Sequence, residues 1–289
     1  MKVVGFSFVR NAIKYDYPFL ESVSSILPIC DEFVIAVGKS EDDTLERLDS
    51  LGSPKIKIIE TVWDDSRRTG GEVLAQQTNI ALSHVKGDWA FYLQADEVVH
   101  EDDLPTILEA MNTHHTDNRV EGLLFSFNHF YGSYQYVGAS RRWYRKEIRV
   151  VKTGTGVRSW GDAQGFRIGE RKLHVKPVDA TIYHYGWVKS PEKQQAKQRS
   201  FNKLWHPDEW VERYVGRSAT YDYANSGRLL LFTGTHPAVM RERVASQNWK
   251  FDYDRARKRE PFKERALDLI ENLTGTRIGE YKNYEVIRD

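Results

Sequence analysis

The chain has 289 residues, and its 42 Lys and Arg against 41 Asp and Glu leave a net charge of +1, which removes any general attraction for a polyanion such as duplex nucleic acid. Cys30, the single cysteine, excludes an internal disulfide framework and a multi-cysteine zinc site, and suits a reducing, cytoplasmic compartment. No apolar run reaches the roughly 18 residues of a bilayer span, and "MKVVGFSFVRNA" meets Arg10 too soon for a secretory leader, so the chain reads as soluble.

The stretch Lys2 to Val9 is β-rich, and "YPFLESVSSILP" then places Phe19, Val23, Ile26 and Leu27 on one helical face, with Pro18 in the first turn. "FVIAV" predicts a second strand, followed by a Ser40-x-x-Asp43 capping box and a helix that turns Leu45, Leu48 and Leu51 inward and stops at Gly52. A third strand, "KIKIIETV", leads through the polar loop "WDDSRRTGGE" to a helix carrying Leu74, Thr78, Ala81 and Val85. The fourth strand is "FYLQADEVV" with the residues before it from Trp89, and a helix follows from about Asp102 with Leu104, Ile107, Leu108 and Met111 inward. Such alternation predicts an α/β fold with a mainly parallel sheet and helices on both faces. Ligands of such sheets bind at the carboxyl ends of the strands, where Arg10, Asn11, the turn from Gly38 to Asp43, the loop after Val62, and Gln94 to Glu97 converge.

After Glu121 the rhythm changes. "GLLFSFNHFYGSYQYVG", "RRWYRKEIRVVKTG", "GFRIG" and "ATIYHYGW" are β-like pieces with long loops; from Ser190 onward the periodicity is mostly helical. The expected organisation is an α/β half over 1–120, a β-rich half of the same domain over 121–189, and a mostly helical C-terminal extension over 190–289.

"FYLQADEVV" ends a buried-looking strand on two adjacent carboxylates, whose desolvation requires a metal, a basic side chain or water. Asp96 is either a ligand for Mg²⁺ or Mn²⁺ or an ordinary strand-end turn former. His184, between aromatics in "IYHYGW", is either a core histidine or a metal ligand given room by Gly186. Asp162 in "SWGDAQGFR" is a turn residue or a general base. Trp160, Tyr185 and Trp187 suit a sugar-stacking surface or the core. The basic run Arg141, Arg142, Arg145 and Lys146 would be split between the faces of a strand.

The order of strand, "SEDDT" turn and helix, strand, Gly-rich loop, helix with Asn79, then "GDWAFYLQADE" resembles a family 2 glycosyltransferase of the GT-A fold. The resemblance covers about the first hundred residues well, the middle loosely and the last hundred hardly at all. It implies transfer of a sugar, with inversion, from a nucleotide-sugar donor to an acceptor hydroxyl of a glycan or a lipid-linked carrier, in surface polysaccharide or glycan synthesis. Asp96 falls on the last Asp of the Asp-x-Asp element, the family's metal ligand for Mn²⁺ or Mg²⁺, with His184 as the late histidine on the same ion. Gln94 replaces the first Asp, and Val37 and Gly38 stand where the family often carries base-contacting aspartates. The implied donor site comprises Arg10, Asn11, Asp42, Arg68, Asn79, Gln94, Ala95 and Asp96. The acceptor side comprises Glu97, Trp160 and Trp187, and Asp162 stands in for the catalytic base although the family's Glu-Asp signature is absent. The segment from Lys193 to Trp205 reads as a solvated helix or as one that rests on a membrane surface. Two rival readings are a non-catalytic carbohydrate-binding protein that kept the fold, and a sugar-phosphate nucleotidyltransferase, whose Gly-rich phosphate loop "SFVRNAIKYDYP" lacks.

Overall fold

The computed structural model describes residues 1–64, 66, 70–224, 226–253, 262–274 and 277–287. The expected βα alternation opens the chain: β1 (Val3–Val9), α1 (Phe19–Ile26), β2 (Glu32–Gly38), α2 (Thr44–Asp49), β3 (Ile56–Thr61), α3 (Glu72–Ser83) and β4 (Trp89–Tyr92). These strands pair in parallel in the order β3-β2-β1-β4. Every second side chain of each strand faces one of two apolar layers. Phe33, Ile35, Trp89 and Phe91 meet Phe19, Val23 and Ile26 of α1, whereas Val4, Phe6, Ala90 and Tyr92 lie with Ala81 of α3. Helices therefore cover both faces.

One turn does not form as the sequence suggests. Ser40 does not cap α2, because its hydroxyl donates to the Gly38 carbonyl at 2.9 Å and accepts from the Asn11 N–H at 3.0 Å. Asp42 instead accepts the Thr44 N–H at 3.1 Å at the start of α2.

The fourth strand is also shorter than "FYLQADEVV". It breaks after Tyr92, where the Leu93 carbonyl accepts from the Ser7 hydroxyl at 2.6 Å and a tight turn closes with the Glu97 N–H on the Gln94 carbonyl at 3.0 Å. The chain resumes as β5 (Glu97–Val99), continues into α4 (Leu104–Thr113), and enters the β-rich part: β6 (Gly122–Tyr131), β7 (Tyr136–Gly138), β8 (Lys146–Lys152), β9 (Val157–Trp160), β10 (Gly165–Ile168) and the long β11 (Arg171–Trp187). β8 is inserted antiparallel between β4 and β6, and β11 runs parallel to β6. β5 pairs antiparallel with β11, with Glu97 opposite His184. That register puts Asp96 next to His184.

The region after Ser190 contains α5 (Pro191–Asn202), α6 (Asp208–Tyr214), β12 (Leu229–Leu231), α7 (Arg241–Ala245), α8 (Phe262–Thr274) and β13 (Tyr284–Val286). Alongside these helices it contributes two short strands that the helical reading did not include. β12 pairs with β7 and β13 with β11, because runs such as "LLL" and "YEV" find unpaired strand edges that no local pattern announces. Nor do Arg141 to Arg145 lie in a strand: they precede β8 in a loop, where Arg141 and Arg145 share Glu271 at 3.0 and 2.6 Å and Arg145 also grips Glu280 at 2.9 Å. No helix of the described residues is long and apolar enough to cross a membrane.

Candidate active site

A cleft of about 750 Å³ opens at the carboxyl ends of β1 and β4. Arg10, Asn11, Gln94, Ala95 and Asp96 line one wall, and Asp162, His184 and Trp187 are brought to it from the β-rich part. The far wall is α5 and its exit, including Lys197, Phe201 and Lys203.

Asp96 is buried at 7% exposure and sits among cations. Lys197 Nζ donates to its Oδ2 at 3.1 Å and to the Gly186 carbonyl at 2.9 Å, and His184 Nε2 lies 3.7 Å from the same Oδ2. Burial works to raise this carboxyl's pKa, but Lys197 and then His184 overcome it and hold Asp96 well below the usual carboxylate range. Gly186 is glycine for space: a Cβ there would come within 2.6 Å of both Asp96 Oδ2 and His184 Nε2.

The histidine's tautomer follows from its neighbour. His129 Nε2 lies 2.8 Å from the Tyr144 carbonyl, so it carries the proton, and burial keeps the ring neutral by pulling its pKa well down. His129 Nδ1 is then an acceptor, and His184 Nδ1 at 3.0 Å donates to it. In its neutral form His184 keeps its lone pair on Nε2, the atom beside Asp96.

Asp96 and His184 thus offer one carboxylate oxygen and one imidazole lone pair at a spacing that suits a single divalent cation. The fit is conditional on Lys197, which holds the same oxygen. No group of three His, Cys, Asp or Glu suited to a metal occurs among the described residues, so a bound ion would complete its shell with water or ligand oxygens.

Tyr17, Lys189 and Lys197 complete this corner, and none of the three was singled out from the sequence. Two lysines meet the Tyr17 ring, with Lys189 Nζ at 4.7 Å and Lys197 Nζ at 4.8 Å from its centroid. Lys189 is fully buried and donates to the Asp16 carbonyl at 2.5 Å; burial, reinforced by Lys197, draws its pKa down to about 7. A lysine in a helix with a polar pattern reads as solvated, so nothing local to Lys197 signals a contact 101 positions away.

Gln94 has a defined task. Its Nε2 donates to the Ala163 carbonyl at 3.3 Å, joining the Asp96 turn to the β9–β10 hairpin turn, where Ala163 has a positive φ of 65° and Asp162 faces the cleft. A carboxylate at 94 has no hydrogen to give that carbonyl.

Several expected site residues lie elsewhere. Glu97 is fully buried, and both its oxygens are taken by Arg149 at 2.6 and 2.7 Å, so it cannot contact an acceptor. Asn79 uses its amide on the Ser159 backbone, at 3.1 Å as donor and 2.7 Å as acceptor, and so fastens α3 to β9 rather than meeting a donor. Asp42 serves the backbone of Thr44 and Lys14 outside the cleft. Trp160 points away, its ring under the guanidinium groups of Arg158 and Arg167, and Tyr185 is a core residue whose hydroxyl meets His236. Arg68 falls outside the described residues. At the end of β2 Gly38 admits Trp63, whose ring would clash with a Cβ there; Trp63 lines the cleft with Arg10 over its face at 5.4 Å.

No curated protein sequence matches the chain significantly. Among solved structures, a 1–349 fragment of S. aureus TarS in complex with UDP-GlcNAc is 14% identical, with 74% of this chain and 70% of that one covered at a TM-score of 0.38. For another structure of S. aureus TarS the values are 16% identity, 69% and 39% coverage and a TM-score of 0.38, so this chain spans well under half of that one. Glucosyl-3-phosphoglycerate synthase from Mycobacterium tuberculosis, in complex with Mn²⁺, UDP and phosphoglyceric acid, is 18% identical over 45% of this chain and 43% of that one, with a TM-score of 0.28. The profile of "Glycosyl transferase family 2" matches residues 9–173, more than half of the 289 and the part that holds Asp96 and Asp162. The chain therefore belongs to glycosyl transferase family 2, whose members transfer sugars from nucleotide-sugar donors.

Proposed function

We propose that the chain is an inverting glycosyltransferase whose donor diphosphate seats against the Asp96 corner and whose acceptor enters from the side of Asp162 and Trp187. The observation that carries this reading is the convergence in one cleft of a deeply ionised Asp96, His184, the Lys197 ammonium and an accessible carboxylate, Asp162. In the transfer, the acceptor oxygen attacks the anomeric carbon and gives its proton to the Asp162 carboxylate. The anomeric carbon's bond to the diphosphate oxygen breaks, and the nucleoside diphosphate leaves with that electron pair.

Trp63 offers a face for the base, with Arg10 above it. Asp96 Oδ2 and His184 Nε2 would hold Mn²⁺ or Mg²⁺, which when bound offsets negative charge on the leaving diphosphate. Gln94 and Arg149 hold the two sides in register: Arg149 donates to Glu97 beside Asp96 and to the Gln164 carbonyl beside Asp162. A glycan or lipid-linked acceptor and a role in surface glycan synthesis follow from the family resemblance.

Slow hydrolysis of nucleotide sugars with Mn²⁺ tests the reading, because a leak to water requires a working leaving-group site. The wild type should release nucleoside diphosphate from at least one of a panel of UDP-, GDP- and dTDP-sugars. Asp162→Asn should slow transfer to an added acceptor by about 10²-fold or more while its affinity for the nucleoside diphosphate stays unchanged. No hydrolysis from any donor would favour a binding protein that kept the fold.

A further inference from the structure

Lys197 holds the oxygen that a divalent ion would need. Its ammonium has three hydrogens; one meets Asp96 Oδ2 at 3.1 Å and another the Gly186 carbonyl at 2.9 Å, while its side chain lines the cleft. The contact is built rather than incidental: Lys197 is buried, rests on the Tyr17 ring, and extends from α5, whose first turn is fixed by the Ser190 hydroxyl accepting the Lys193 N–H. The same ring meets a second buried lysine, Lys189, whose hydrogen bond goes to a carbonyl and not to a carboxylate. The corner therefore holds one lysine on Asp96 and a second beside the Tyr17 ring. Two cations on one carboxylate oxygen repel strongly at such distances.

We propose that Lys197 is a built-in cation for the donor's diphosphate and that it competes with the divalent ion for Asp96 Oδ2. With no ligand bound, the ammonium satisfies Asp96 and opposes entry of a metal. When the diphosphate arrives it supplies oxygens that can accept the displaced ammonium, whose long flexible stem moves without moving α5. Metal and diphosphate then bind together better than either binds alone, since each relieves the other's conflict with Lys197. This inference rests on the donor site proposed above.

The test is the sign of two effects in one variant. For Lys197→Met, which keeps the stem and removes the charge, Mn²⁺ alone should bind about fivefold or more tightly than to the wild type, as followed by the free-ion paramagnetic resonance signal. Calorimetry with UDP and GDP in the absence of metal should show binding about tenfold weaker for whichever the wild type binds. Lys197→Arg, which keeps a cation, should leave metal binding weak, and a thermal midpoint on each variant confirms folding. Mn²⁺ affinity that is equal or weaker in folded Lys197→Met overturns the competition, whatever happens to nucleotide. Absence of nucleoside diphosphate binding by the wild type, with or without Mn²⁺, overturns the donor site itself and this inference with it. If Lys197→Met does not fold, the same two measurements on Lys197→Gln decide.

Discussion

Asp96 and Glu97 are neighbours in sequence and have opposite surroundings. Glu97, at the start of β5, is sealed and bound at both oxygens by Arg149, whose remaining bonds go to the Ile148 and Gln164 carbonyls. Asp96, one residue earlier, shares a single oxygen between a lysine and a histidine at the edge of a cleft. The first arrangement satisfies its partners completely and leaves nothing for a ligand; the second leaves a lysine and a histidine on one carboxylate oxygen at the edge of a cleft. A strained electrostatic balance beside a saturated one is what separates a site from its scaffold here.

Breaking the saturated pair should have the largest effect. Arg149→Met would leave the Glu97 carboxylate buried with no charged partner, at a cost of about 3–5 kcal/mol in urea unfolding. Adding Glu97→Gln should restore most of it. A loss under about 1 kcal/mol for the single variant would mean that the pair behaves like a surface ion pair, and the contrast with Asp96 would collapse.

A third carboxylate sharpens the comparison with a smaller effect. Glu147 is buried on β8; its Oε1 accepts from Gln164 Nε2 at 3.1 Å and its Oε2 finds no hydrogen-bond partner among the described residues. Burial pushes its pKa up to about 7, with Arg149 opposing the rise. The unfolded carboxyl titrates near 4.3. Between that value and about 7 the native state keeps a proton that the unfolded state has released, so this group's contribution to stability falls as pH rises through the window and is constant above it. Glu147→Gln removes the dependence and should be more stable than the wild type by about 3–4 kcal/mol at pH 8, and equal to it near pH 4. The same difference at both pH values would show that packing rather than ionisation is responsible.

The fold of the first 120 residues was legible because its signals are local. Alternating β-rich and helical periodicity, with Phe19, Val23 and Ile26 on one stripe, needs only a few neighbouring residues to be read. Asp96, Asp162 and His184 were singled out through order and spacing, and all three line one cleft. What stayed hidden depends on pairing across long stretches of chain. The acidic pattern of "QADEVV" gives no sign that Glu97 meets Arg149 52 positions later, and "SWGDAQGFR" looks like a loop until β9 and β10 pair around it. Glu97 and Trp160 were misplaced for that reason. Asn79 looked like a donor contact because the amide's own bonds, to Ser159 80 positions away, are invisible in sequence.

The most direct test of the site is calorimetry of UDP and GDP with the wild type and Asp96→Ala, each with and without Mn²⁺. The account predicts that the wild type binds at least one nucleoside diphosphate more tightly when Mn²⁺ is present, and that Asp96→Ala stays folded and loses that metal dependence. Unchanged affinity and unchanged metal dependence in Asp96→Ala would contradict it.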